Sequence, residues 1–288
     1  MTQATTPDLL RYAAFTDDPA GGNPAGVVLD ASGLDDAAML AEAARVGYSE
    51  TAFVTEADHA RRRYRLRYFS PLAEVAFCGH ATVATAAALA ERIGPGPLWC
   101  ETRAGGIGVE TAVDASGPRA TLTSVETASA PASPADVETA LAALGWAAAD
   151  LDPALPPHVS FGGNNHLVLA AGSRARLAAL DYDFDALAAL CRARSWTTVH
   201  LVARDQDDPA TFHVRAPFPT GGVVEDPATG AAAAAFGGYL RALGLVTEPT
   251  RFRLRQGEDM GRPSLLLLDL APDDARSRVT GRAVRIPG

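Results

Sequence analysis

Lysine is missing from this chain: all 25 Lys+Arg positions are arginine. Without lysine there is no Schiff base, which excludes pyridoxal-phosphate chemistry of the usual kind. A P-loop is excluded too, because its phosphate cradle needs a lysine. The sequence also lacks a G-x-S-x-G elbow, an H-E-x-x-H zinc helix and a G-x-G-x-x-G turn. Cysteine is scarce. Cys78, Cys100 and Cys191 make no disulfide framework, and a cytoplasmic protein is expected. The six histidines show no metal-ligand spacing, so no metal is expected. No apolar run approaches the roughly 18 residues of a membrane span. The opening MTQATTPDLL has no basic or apolar region of a signal peptide, and none is expected. A net charge of −9 argues against nucleic acid or an anionic membrane as partner. Acid–base work by side chains remains.

What is present is an internal duplication. The segments 65–94 (RLRYFSPLAEVAFCGHATVATAAALAERIG) and 213–244 (HVRAPFPTGGVVEDPATGAAAAAFGGYLRALG) share one plan. Each runs from a strand with Arg and Pro through an acidic loop and a polar-Gly turn into an Ala-rich helix. Arg67 and Arg215 are 215 − 67 = 148 apart, and Pro71 and Pro219 share that offset. Two copies are too few for a solenoid and point to two similar lobes with a cleft between them. A chain of 288 residues is long enough for two modest cores.

Strand patterns fall at 9–15, 25–29, 50–54, 63–69, 98–103, 107–113, 120–125, 166–170, 199–203, 212–215, 252–255 and 265–270. Helical patterns fall at 34–46, 81–92, 185–194 and 230–243. The stretch TASAPASPAD is the best linker candidate. A helix made of alanine on every side is expected to be buried on every side. Each lobe is therefore expected to be a curled sheet around one central helix, an α+β class.

Candidate chemistry clusters at helix and strand starts. Glu50, in GYSETAFV, opens an apolar strand, where a partly buried carboxylate suits general acid/base catalysis. A strand-edge partner for arginine is the plainer reading. His80, in FCGHAT, opens the first Ala-rich helix and can bind substrate or cap the helix; Gly79 beside it lets backbone approach a ligand. Asp226 holds the matching place before the second helix, as a helix cap or as a substrate group facing His80. Thr229, Gly230 and Ala231 would present N–H groups to a substrate carboxylate. Cys78 is either a small buried hydrophobe or a thiolate base at a helix N-terminus. The second copy has no cysteine in EDPATGAAAAA, which counts against a two-thiol mechanism.

With these motifs in order, the chain resembles the PhzF-like phenazine-biosynthesis isomerase family. The likeness rests on GNPAGVV after Phe15, SETAFV, FSP…EV…FCGHAT, EDPATG and QG…GRPS. It implies the diaminopimelate-epimerase-like fold, with two pseudo-symmetric lobes, each a barrel-like sheet around a central helix. The lobes would be 1–128, which a last strand at 278–288 can rejoin, and 129–277. It also implies a homodimer and cofactor-independent movement of a proton within a small carboxylate-bearing metabolite. Glu50 would carry the proton, with His80 and Asp226 binding and orienting the substrate. From their place at the two helix starts, and not from the resemblance, Cys78, Gly79, Thr229, Gly230 and Ala231 are the expected substrate-binding residues. The family pattern often reads E-D-P-A-T-G-S; here Ala231 replaces the serine and removes a hydroxyl, leaving backbone N–H groups. An amino-acid epimerase using Cys78 and a non-catalytic metabolite- or protein-binding member are the alternatives.

Overall fold

The computed structural model describes residues 8–287. The chain divides into two compact units, one of residues 1–123 with 280–288 and one of residues 124–279. The class is α+β.

The first unit holds β1 (Leu9–Ala14), β2 (Asn23–Val28), α1 (Asp36–Val46), β3 (Glu50–Asp58), β4 (Arg63–Phe69), β5 (Glu74–Val75), α2 (Gly79–Ile93), β6 (Gly96–Thr102), β7 (Gly105–Asp114) and β8 (Gly117–Glu126). Its strand order is β1-β2-β3-β4-β6-β7-β8, followed by the final strand, Asp274–Arg285. That strand also pairs with β1, with Ala14 opposite Ala283, so eight strands close into a barrel. α2 packs against β1, β2, β3 and β7, and every residue from His80 to Ala90 is buried. Alanine and threonine make this possible, since small side chains let strands approach from all directions. α1 covers β3 and β4 over Met39, Ala43, Phe53 and Phe69.

The second unit holds β9 (Ala128–Pro131), α3 (Pro134–Leu144), β10 (His158–Phe161), β11 (Asn165–Ala170), α4 (Arg174–Ala178), α5 (Phe184–Arg194), β12 (Trp196–Arg204), β13 (Thr211–Arg215), β14 (Pro217–Phe218), β15 (Val223–Glu225), α6 (Gly230–Ala242), β16 (Thr250–Gln256), β17 (Ser264–Ala271) and the start of β18 (Asp274–Arg285). The strand order is β9-β10-β11-β12-β13-β16-β17-β18. α6 is buried from Ala232 to Leu240 and packs against β9, β10, β11 and β17. A side chain at Gly238 would meet Thr127 Oγ1 at 2.9 Å, and one at Gly237 would run into Ser277.

The Ala/Ser/Pro-rich stretch after Glu126 is no linker. It pairs as β9 with β10 and then opens α3. Ser133 caps that helix by accepting the Asp136 N–H, and Pro134 stands where a helix tolerates proline. Composition misread a Ser-Pro helix start as a flexible joint.

β11 and β12 are buried on both faces, and so read as near-continuous apolar runs. Leu167, Leu169, Val199 and Leu201 join a core with α3 and α5. The alternate residues His166, Thr198 and His200 take the other face, where the His200 ring lies 5.3 Å from Phe236 of α6. His166 Nδ1 is 2.8 Å from Thr198 Oγ1. Neither nitrogen of His200, nor Nε2 of His166, has a hydrogen-bond partner among the described residues. Burial pushes both imidazoles down to about 3. An unfolded histidine titrates near 6.5, so the unfolded chain binds more protons between those values. The stability of this core is therefore complete above about pH 6.5 and is lost as pH falls toward 3. Each histidine contributes a slope of up to about 1.4 kcal/mol per pH unit. Urea midpoints measured from pH 7.5 to 5.5 should fall for the wild type and fall less for His200→Leu. Equal slopes would contradict this reading.

Candidate active site

Three chemistry-bearing side chains meet in the first unit. Glu50 opens β3, where parallel pairing sets it beside Ala25 of β2. Cys78 is the N-cap residue of α2, with extended backbone and no side-chain cap bond. His80 is therefore not the cap; it is the second residue of the helix and is buried. Its Nε2 lies 3.5 Å from Glu50 Oε2 and 3.4 Å from Ser49 Oγ. Its Nδ1 lies 3.2 Å from Asn23 Nδ2 and 3.3 Å from Cys78 Sγ. An amide N–H donating to Nδ1 leaves the proton of a neutral ring on Nε2, on the side of Glu50. The Glu50 side chain keeps 15% exposure, so the carboxylate is sheltered yet reachable.

The helix start under this group is fixed from inside the barrel. Thr82 donates its hydroxyl proton to the Cys78 carbonyl at 2.7 Å. The fully buried Tyr68 must then donate to Thr82 Oγ1, 2.6 Å away. Among the described residues, Glu50, Cys78 and His80 are also the group able to offer three metal-ligand atoms within 4.8 Å of one another. Spacing along the chain gives no sign of it, because Glu50 is far from the other two in sequence.

The matching place in the second unit is built differently. Asp226 follows β15, is buried, and donates its N–H to the Ala216 carbonyl at 3.0 Å. The N-cap residue of α6 is Thr229, so Asp226 is not the cap either. Thr229 Oγ1 instead lies 2.6 Å from Asp226 Oδ2. Gly230 and Ala231 form the first turn of the helix.

One ion pair recurs in both units. Arg67 grips Glu74 through Nε and Nη2, each at 2.8 Å. Arg215 grips Glu225 through Nε at 3.0 Å and Nη2 at 2.5 Å. Each fork ties an arginine of one strand to the glutamate of the short strand that precedes the buried helix. A cavity of about 360 Å³ beside the first fork is lined by Arg65, Arg67 and Arg103 with Glu74 and Glu101, and not by Glu50, Cys78 or His80.

Residues 12–287 match the sequence model of a family described as phenazine biosynthesis-like protein, PhzC-PhzF. The chain belongs to the PhzC-PhzF family. An uncharacterized isomerase of Mesorhizobium japonicum is 33% identical, over 98% of this chain and 97% of that one. The trans-2,3-dihydro-3-hydroxyanthranilate isomerase of Pseudomonas chlororaphis is 31% identical, over 88% of this chain and 86% of that one. The PhzF-family phenazine biosynthesis protein of Bacillus anthracis has the same fold, with a TM-score of 0.88 and 26% identity over 98% of both chains. A protein of Agrobacterium radiobacter described as a probable proline racemase shares the fold at a TM-score of 0.65 and 15% identity over 97% of this chain and 91% of that one. This PhzC-PhzF member is an isomerase.

In this PhzC-PhzF chain, sequence reasoning named Glu50, Cys78 and His80, and the fold brings those three together. It quoted Asn23, Ser49 and Gln256 only as parts of motifs and gave them no role. Asn23 stands out as a polar residue in the glycine-rich GGNPAG, whereas Ser49 lies among other polar residues and Gln256 among charged ones, and neither carries a local signal. The second fork is nearly dry, with side-chain exposures of 11% for Arg215 and 5% for Glu225. Removing one partner of such a pair costs about 3–5 kcal/mol, whereas replacing both with apolar groups can be nearly neutral. Glu225→Gln should therefore lower stability to urea strongly, and Arg215→Met/Glu225→Leu should recover most of the loss. A double variant worse than the single one would contradict a desolvated pair.

Proposed function

We propose that this isomerase moves a proton within a small carboxylate-bearing metabolite, with Glu50 as general acid and base. The observation that carries the proposal is the reachable Glu50 carboxylate beside the Nε2 side of a buried, doubly braced His80. Glu50 takes a proton from a carbon flanked by an unsaturated or carboxylate-bearing neighbour. The C–H electron pair passes into that neighbour. Protonated Glu50 then returns the proton to another carbon of the same molecule. Atoms and electrons balance without an oxidant or a co-reactant. His80 orients the substrate, with its Nε2 3.5 Å from the Glu50 carboxylate. Asp226, Thr229, Gly230 and Ala231 are the proposed substrate-binding residues of the second unit. Support for the substrate class comes from the Pseudomonas chlororaphis relative, whose substrate bears carboxylate, amino and hydroxyl groups.

A Cys78 thiolate base gives a second reading, epimerisation, favoured by Cys78 Sγ lying 3.3 Å from His80 Nδ1. Glu50→Gln separates the two. It should lower kcat on trans-2,3-dihydro-3-hydroxyanthranilate by about 10²- to 10⁴-fold with an unchanged thermal midpoint. Cys78→Ser should retain far more activity. The opposite order would overturn the Glu50 reading in favour of the thiolate.

A further inference from the structure

Gln256 ends β16 and is 1% exposed, and its carboxamide is spent entirely on the segment that leads into α6. Oε1 accepts the Thr229 N–H at 3.2 Å. Nε2 donates to the Asp226 carbonyl at 2.7 Å and to Thr229 Oγ1 at 3.0 Å. The orientation of this amide has no ambiguity. A backbone carbonyl can only accept and a backbone N–H can only donate, so nitrogen must face Asp226 and oxygen must face the Thr229 N–H. The next link follows from proton count. Thr229 has one hydroxyl proton, and its oxygen already receives an N–H from Gln256. The proton therefore goes to Asp226 Oδ2, at 2.6 Å.

The residue after Gln256 locks the strand end in place. Gly257 has φ +76°, and a Cβ there would meet the Pro227 carbonyl oxygen at 2.9 Å and collide with that of Arg262. Only glycine lets the end of β16 lie this close to the Asp226–Thr229 segment.

We infer that Gln256 is a positioning residue for the isomerisation, acting through the Thr229 hydroxyl to hold the Asp226 side chain in one fixed orientation. The inference rests on the substrate-binding role proposed for Asp226. Gln256→Glu keeps the size of the side chain and reverses its polarity. A carboxylate has no N–H for the Asp226 carbonyl or the Thr229 oxygen, and it competes with Asp226 for the hydroxyl proton. Gln256→Met removes the polarity and keeps the length.

The experiment is a kinetic double-mutant cycle on trans-2,3-dihydro-3-hydroxyanthranilate, run below the thermal midpoint of every variant. Gln256→Glu and Gln256→Met should each lower kcat/KM by about ten- to a hundredfold, the range for a hydrogen bond serving a charged group. The loss should fall mainly on KM. In an Asp226→Asn background the same substitutions should cost little more, because their route of action is already gone. Folded Gln256 variants with wild-type KM and kcat would overturn the inference and leave the role of Asp226 standing. So would losses that simply multiply with that of Asp226→Asn. A fully active Asp226→Asn would instead overturn the substrate-binding role of Asp226 itself.

Discussion

A helix buried on every side must be built mostly from small, uncharged side chains, and this constraint governs both units. α2 is nearly all Ala and Thr through its middle, and α6 runs AAAAAFGG. The polar residues of each unit's candidate group are consequently pushed to the helix start, where the chain leaves the sheet and the backbone N–H groups are not yet taken by the helix. Buried helices need their first turns fixed by something other than solvent. Each unit meets the need with an arginine–glutamate fork before the helix and a hydroxyl relay at its first turn. In the first unit the relay is Tyr68 to Thr82 to the Cys78 carbonyl. In the second it is Gln256 to Thr229 to Asp226.

The duplication is structural, and the chemistry within it is unequal. The forks begin at arginines 148 residues apart, while the helices begin at Gly79 and Gly230, which are 230 − 79 = 151 apart. Three additional residues therefore lie in the loop of the second unit. At the helix-start offset, Cys78 corresponds to Thr229 and His80 to Ala231. The imidazole and thiol of one copy are replaced by a hydroxyl and a methyl in the other. Ionisable chemistry at the helix start is concentrated in the first copy, while the second relies on a carboxylate set in its loop and braced from β16.

Much of this was legible in the sequence because it follows from periodicity and from residue size. The Ala-rich helices, the strands around them, the α+β class and the recurrence of Arg67 and Arg215 all came from pattern. Other features came from pairing that no local pattern encodes. The stretch after Glu126 looked like a linker because Ser, Pro and Ala are common in both linkers and helix starts. Asp226 and His80 both looked like caps, since capping residues and substrate-binding residues are drawn from the same polar types; the caps are Cys78 and Thr229. Gln256 is separated from Asp226 by the whole of α6, so its three bonds to that segment exist only once β16 has paired.

The central claim is that Glu50 carries a proton between carbon atoms of one small molecule. Proton NMR in heavy water, with trans-2,3-dihydro-3-hydroxyanthranilate and either wild-type or Glu50→Gln protein, tests it most directly. The expected result is deuterium entering one carbon of the product at the rate of turnover with the wild type, and no carbon-bound exchange with Glu50→Gln. Deuterium incorporation that is undiminished in Glu50→Gln would contradict the account, because another group would then be moving the proton.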